Sequence, residues 1–473
     1  MRLRNTIHSK KTIRLKTLLS KKSAFAALFV GSMLSLTGTP HVVDAAAIRN
    51  PHDSYRNLNL YNVAKSTWNF YVSATQTPTG LPADRIDITS TGQKLSTSTN
   101  DTNIGMYLVS IAAAKNLGII HEREAARRLA KVLSELQSLQ KYKGFFYDWY
   151  STTNGKPSQK FVSTVDVAWL DTGLIIDSKT FPQFKRPLTR MLKQMNFSLL
   201  YDTSLNQLYG GYTVGQGPTG YTFGNINTET RIADYIAIGK RNLPSKLWFG
   251  VYRTLPKSWT WQQQTPVGYY ATYDGVKVFE GHYSWDGIKY VPSWGGSMFE
   301  SLMPTLFLNE KGLAPRALGL NDKRMVQLQI KYAQSKNYPV WGISPAALPN
   351  DGYGVFGIPQ LGSANPPYQE NGTITPYASF LALQFAPRQA LRNIYKLKTN
   401  YHMLGKYGFY DSVNVHTSTV THSYLALDEG MILASLDNYL NRDALIRTFN
   451  RSSIGRRPQH LLSEEKFSIT SNH

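Results

Sequence analysis

Between Glu122 and Leu139 the apolar residues fall at Ala125, Leu129, Val132, Leu133, Leu136 and Leu139. Steps of three and four lay one apolar stripe along a helix and leave the rest of its surface polar. Apolar recurrence predicts further helices over 58–74, 102–117, 165–176, 184–200, 228–240, 245–252, 296–308, 322–335, 376–385, 387–397 and 425–440. Pro387 opens its helix in the first turn, where its missing amide costs nothing.

The segments between these helices are rich in aromatic residues and glycine: 144–155, 209–225, 269–294, 341–368 and 401–414. Long loops in compact domains tend to carry function. The stretch with Tyr269, Tyr270, Tyr273, Phe279, Tyr283, Trp285 and Tyr290 suggests a short β-hairpin. The pattern as a whole predicts an all-α architecture of paired helices closing into a toroid, with a site where the aromatic loops meet. No fixed internal period is present, which weakens an open α-solenoid.

Composition narrows the chemistry. The 473-residue chain has no cysteine, so disulfides, thiolate metal sites and a cysteine nucleophile are excluded. Residues 1–22 hold eight Lys or Arg and no acid, then an apolar run leads to Asp44-Ala45-Ala46-Ala47. This is the form of a secretion signal, residues 1–46, and the run is short for a spanning helix. A domain over 47–440 and a loose, polar, basic tail over 441–473 are expected to follow.

The formal charge of +22 falls to +15 without the first 45 residues, because 52 bases less eight leave 44 and 30 acids less one leave 29. On an exported chain such a surface suits an anionic cell wall better than nucleic acid. No phosphate loop, His-x-x-x-His pair or Gly-x-Ser-x-Gly elbow is present, and no motif calls for a metal or cofactor.

Carboxylates remain. Glu229 stands at the start of the apolar segment Ile232–Gly239, where it either serves the helix dipole and amides or faces a site. Asp148 lies among aromatics in Gly144-Phe-Phe-Tyr-Asp-Trp-Tyr150, a composition suited to stacking on sugar faces and bonding hydroxyls. Asp166 follows a Ser163 cap, and Glu300 falls in the first turn after Trp294-Gly-Gly, where capping is the plainer role. Asp411 follows Gly408-Phe-Tyr, and Asp428 and Glu429 open the last helix.

Taken in order, Gly144-Phe-Phe-Tyr-Asp148, Ser163-Thr-Val-Asp166, Glu229-Thr-Arg-Ile, Trp294-Gly-Gly-Ser-Met-Phe-Glu300, Trp341-Gly-Ile-Ser344, Pro376-Tyr-Ala-Ser379, Gly408-Phe-Tyr-Asp411 and Asp428-Glu-Gly430 resemble the bacterial glucoamylase-like family. That family includes endo-β-1,2-glucanases and the C-terminal region of cyclic β-1,2-glucan synthases, and the resemblance runs from about Asn100 to Asn438. It implies an (α/α)6 toroid acting on β-linked glucans, with Glu229 as catalytic acid. Asp411 is implied as the second carboxylate, with Asp428 and Glu300 in reserve. Asp148, Trp149, Asp166, Tyr283, Trp285, Trp294 and Trp341 are expected to contact sugar. The chain departs from the family at Lys160-Phe161, at Phe279–Trp285 and at Glu429, where substrate would lie.

The expected function is a secreted or cell-surface glycoside hydrolase or transglycosylase on a β-glucan, exopolysaccharide or cell-wall glycan. The alternative is a carbohydrate-binding or polysaccharide-assembly protein that keeps the cleft without turnover.

Overall fold

The computed structural model describes Tyr55 and residues 58–470, so the expected secretion signal lies outside the described residues. The twelve expected helices are present as α1 (Leu60–Ala74), α2 (Asp101–Asn116), α3 (Glu122–Ser138), α4 (Thr164–Thr180), α5 (Lys185–Gln194), α6 (Arg231–Gly239), α7 (Lys246–Gly250), α8 (Met298–Leu302), α9 (Leu318–Ser335), α10 (Pro376–Leu381), α11 (Pro387–Asn400) and α12 (Ala426–Leu440). They fall into two physical classes. The even-numbered helices are buried on almost every side. Among the odd-numbered ones, α3, α5 and α11 bury a single apolar stripe and expose their charged faces. A helix apolar all round needs partners on all sides, and a one-sided helix needs only one.

The buried helices pack in chain order, α2 on α4, α4 on α6, α8 on α10 and α10 on α12, and α12 returns to α2. The link from α6 to α8 is polar, with the Arg231 guanidinium donating to the Ser301 carbonyl at 2.8 Å. Contact between α2 and α4 is close because both helices are notched. A Cβ on Gly105 would lie 2.3 Å from the Trp169 carbonyl oxygen, and one on Gly173 would lie 2.5 Å from that of Gly105.

The all-α expectation needs correcting: the long connections into the even-numbered helices carry short antiparallel strands. Ser98–Asn100 pairs with Trp149–Ser151, Phe161–Ser163 with Gly211–Thr213, and Thr373–Ile374 with Ser412–Asn414. Single bridges join Asn225 to Tyr252 and Ser293 to Gly362, and Arg85–Asp87 pairs with Ser423–Leu425. Each connection is thus stitched to the next, and the sixth to the first. The suggested hairpin is a three-stranded meander of Val267–Tyr273, Val276–Trp285 and Ile288–Tyr290.

The tail is also corrected. Residues 444–464 form short helices, and Leu445, Phe449, Leu461, Leu462, Phe467 and Ile469 are buried. Glu465 forms a buried ion pair with Arg253. The tail's few apolar residues are all spent on anchoring, which its polar average concealed. Among the described residues no helix is long and apolar enough to cross a membrane.

Candidate active site

The six buried helices begin at the stitched end of the molecule, so their first turns present side chains there. Asp101 opens α2, Asp166 lies in the first turn of α4, Glu300 in that of α8, Tyr377 in that of α10 and Asp428 in that of α12. Glu229 sits in the turn before Thr230, the residue capping α6. The expected helix start at 228 therefore moves to Arg231, and Glu229 belongs to the entry turn.

That turn is tightly held. Thr228 Oγ1 donates to the Asn225 carbonyl at 2.7 Å, and Asn227 Nδ2 donates to that of Val291 at 2.8 Å. Arg231 is fully buried; it forks onto both Glu310 oxygens at 2.8 Å each and donates to the Thr228 carbonyl at 2.9 Å. One guanidinium thereby ties the Glu229 turn to α8.

Glu229 and Glu300 are neighbours with opposite surroundings. Glu300 Oε1 accepts from the Gly295 amide at 2.8 Å. Its Oε2 accepts from Ser293 Oγ at 2.9 Å and from the amide and hydroxyl of Ser297 at 2.9 and 2.8 Å. Burial raises its pKa, but these donors favour the ionised form. Glu229 is 7% exposed, and its Oε2 has no hydrogen-bond partner among the described residues. Burial pushes its carboxyl well above the usual range, and the charge of Glu300 pushes it further. Two acids whose environments separate their protonation are the arrangement acid–base chemistry requires.

Asp166 accepts from Thr102 Oγ1 at 2.5 Å and Asn100 Nδ2 at 3.3 Å, and from the Ser163 hydroxyl. Burial holds its pKa at about 6 against those bonds. Asp148 is half-buried, and burial followed by the charge of Asp166 drives it well upward. Tyr221, 40% exposed, seats its ring on Gly210 on this side, and its hydroxyl is raised by desolvation and then by Asp148 and Asp166.

Across from these lies a second group. Asp411 Oδ2 accepts from the Ala347 amide at 2.5 Å, and the Asp411 and Asp428 carboxyls influence each other's protonation. Burial raises both, and the mutual contact separates them: it lowers Asp411 and raises Asp428. Asp84, also raised by burial, adds its charge to Asp428. A tyrosine stands beside each group: Tyr353 pairs across its strand with Ala347, whose amide holds Asp411, and the Tyr368 ring lies on Gly295, whose amide holds Glu300. The Tyr353 hydroxyl responds to Asp428, Asp411 and Tyr368, and the Tyr368 hydroxyl to Glu300 and Glu229, each after the dominant effect of burial.

Of the expected sugar contacts, Asp148 and Asp166 join the acidic cluster, and half-buried Trp149 is paired with Asn100 beside it. Trp294 is 39% exposed and adjoins Gly295, the glycine that holds Glu300. Tyr283 is buried and donates its hydroxyl to Gln262 Oε1 at 2.8 Å, and Trp341 is buried with its backbone held by Asn393. Trp285 packs against Tyr332 of α9 rather than against the acids.

Sequence reasoning missed Asp84, Asp101, Tyr221, Tyr353 and Tyr368. Asp84 precedes a strand rather than a helix, and the tyrosines sit in loops whose pairing only the fold reveals. Asp101 carried a readable signal, an acid directly after Asn100 at a helix start.

Residues 263–453 match the family model Glycoamylase, described as "Putative glucoamylase". The resemblance holds over this part of the chain. Residues 62–242, which include Glu229, match instead a family described as a protein of unknown function, DUF3131. The expected span of 100–438 is thus divided between two family models. The cyclic β-(1,2)-glucan synthase NdvB of Rhizobium meliloti is 22% identical over 86% of this chain, which spans 18% of that protein. Among solved structures, an endo-β-1,2-glucanase from Chitinophaga pinensis, in complex with sophorotriose and glucose, is similar at 18% identity and a TM-score of 0.68 over 85% of this chain and 97% of that one. A β-1,2-glucanase from Parabacteroides distasonis is similar at 16% identity and a TM-score of 0.69 over 86% of this chain and 60% of that one. These likenesses establish a shared fold.

Proposed function

We propose that the protein is an endo-acting glycoside hydrolase of β-1,2-glucan, built as a six-hairpin toroid and exported to the cell surface. The toroid reading rests on the neighbour-to-neighbour packing of the even-numbered helices and on the closed round of stitched connections. The observation that carries the function is Glu229: a buried carboxyl with one oxygen unpartnered among the described residues, kept protonated beside an ionised Glu300. The names of the relatives supply the linkage.

In this reading Glu229 gives its proton to the glycosidic oxygen as the bond to the anomeric carbon breaks. Asp411 takes a proton from the water that attacks that carbon, and Asp428, the more strongly raised of the two, stays protonated and leaves Asp411 ionised. Tyr221, Tyr353 and Tyr368 wall the cleft and offer hydroxyls to sugar. Glu300 is a positioning residue whose charge sets the acidity of Glu229.

The test is incubation of the protein with linear β-1,2-, β-1,3- and β-1,4-glucans and amylose, following reducing ends and product size. Early oligosaccharides of mixed length from β-1,2-glucan alone support the proposal; bound but intact polymer would favour the binding or assembly role. Transglycosylation is the second reading, favoured by the likeness to a glucan synthase, and would yield products longer than the starting chains or closed into rings.

A further inference from the structure

Outside the acidic cluster, three tryptophans form one exposed run. Trp259 is 40% exposed, Trp261 43% and Trp294 39%. The rings of Trp259 and Trp261 lie near-parallel with centroids 5.9 Å apart, and Trp261 meets Trp294 edge-on at 6.3 Å. Tyr252 abuts the far end, 5.9 Å from Trp259. Contiguous exposed aromatic surface is costly in water and marks a surface that something covers.

The loop that carries the pair is built to be rigid. Gln262 Nε2 donates to the Pro256 carbonyl at 2.9 Å and to that of Trp259 at 3.0 Å, and its Oε1 accepts from Tyr283 at 2.8 Å. Gln263 donates to the Ala364 carbonyl at 2.8 Å. Gln264 donates to Tyr290 Oη at 3.1 Å and accepts from the Ser284 amide at 3.1 Å. Three consecutive glutamines thus fasten the loop to itself, to the 364 connection and to the meander. Trp294 is fastened too, its carbonyl accepting from the amides of Ser363 and Ala364 at 3.0 and 2.8 Å. Fixed aromatic faces bind without an ordering cost.

We propose that Trp259 and Trp261 form a distal glucan platform that continues the cleft outward from Trp294 and grips polymer beyond the bonds being cleaved. Indole faces suit the C–H faces of pyranose rings, and the run starts at the residue next to Gly295, which holds Glu300. The platform rests on the glycosidase reading and adds to it a preference for long chains over short ones. It also assigns a role to buried Tyr283, which braces the platform through Gln262.

The experiment compares wild type, the double variant Trp259→Ala/Trp261→Ala and the double variant Trp259→Phe/Trp261→Phe on linear β-1,2-glucan polymer and on a short β-1,2-linked oligosaccharide. The alanine variant is expected to raise KM for polymer about tenfold with kcat unchanged and oligosaccharide kinetics unaltered, and the phenylalanine variant to recover most of the loss. Equal KM for polymer in all three, or equal weakening on polymer and oligosaccharide, would overturn the platform while leaving the enzyme reading intact. A wild type that neither binds nor cleaves β-1,2-glucan would overturn both.

Discussion

Glu229 and Glu300 form a buried pair in which one carboxylate is satisfied and the other is not. Four donors, two of them backbone amides, converge on Glu300, whereas Glu229 Oε2 has none among the described residues. The satisfied member fixes negative charge beside the unsatisfied one, so the proton stays on Glu229.

Removing that charge should make Glu229 a stronger acid. In Glu300→Gln the pKa of Glu229 falls, so the alkaline limb of the pH–rate profile moves to lower pH. The amide also gives up part of the cap of α8, which costs about 1 kcal/mol. A kcat/KM profile of the variant measures the shift; an unmoved alkaline limb would separate the two residues.

Arg231 is the tie between the Glu229 turn and α8, and it neutralises Glu310 with both buried completely. Arg231→Met leaves Glu310 and Asp322 buried without their cation, which should cost about 3–5 kcal/mol in urea unfolding. Arg231→Lys keeps charge but not the fork, so a smaller loss of stability should accompany a fall in kcat as the turn loosens.

Much of this frame was legible. The helices could be read from periodicity, and their two classes follow from how much of each surface is apolar. Glu229, Asp166 and Asp428 could be found because each stands where an apolar helix begins. Pairing across the site could not be read, because Asp411 and Ala347, and Tyr368 and Gly295, come together only through loop conformations. Tyr283 is buried with its hydroxyl committed to Gln262; an aromatic in a glycine-rich loop can as well be buried as exposed. The Trp-x-Trp of Trp259 and Trp261, in a polar segment, was a signal that the helical pattern overshadowed.

Asp437 on α12 offers a test of the buried acids through stability. It is fully buried, and burial raises its pKa to about 7 although Asn116 and Asn441 donate to it at 2.8 and 2.7 Å. The folded state keeps this proton up to about pH 7, and the unfolded chain gives it up near pH 4. The folded state therefore binds more protons across that window, and this contribution to stability is lost as pH rises through it. The thermal midpoint should fall between about pH 4 and pH 7, and less steeply in Asp437→Asn. Equal slopes would contradict the assignment.

Asp411 and Asp428 should not be interchangeable. Asp411→Asn removes the group that takes the proton from water and should lower kcat at least a thousandfold. Asp428→Asn keeps a neutral group beside Asp411 and should retain more activity. Equal losses in reducing-end assays would mean that the pair divides its roles differently.

The most direct measurement compares Glu229→Gln with wild type on linear β-1,2-glucan, with the thermal midpoint of both recorded beside the rate. The substitution removes the proton and keeps the shape, so turnover should fall at least a thousandfold with polymer still bound and the midpoint within a few degrees. A variant that cleaves at the wild-type rate, or one that loses activity only because it unfolds, would contradict Glu229 as the acid.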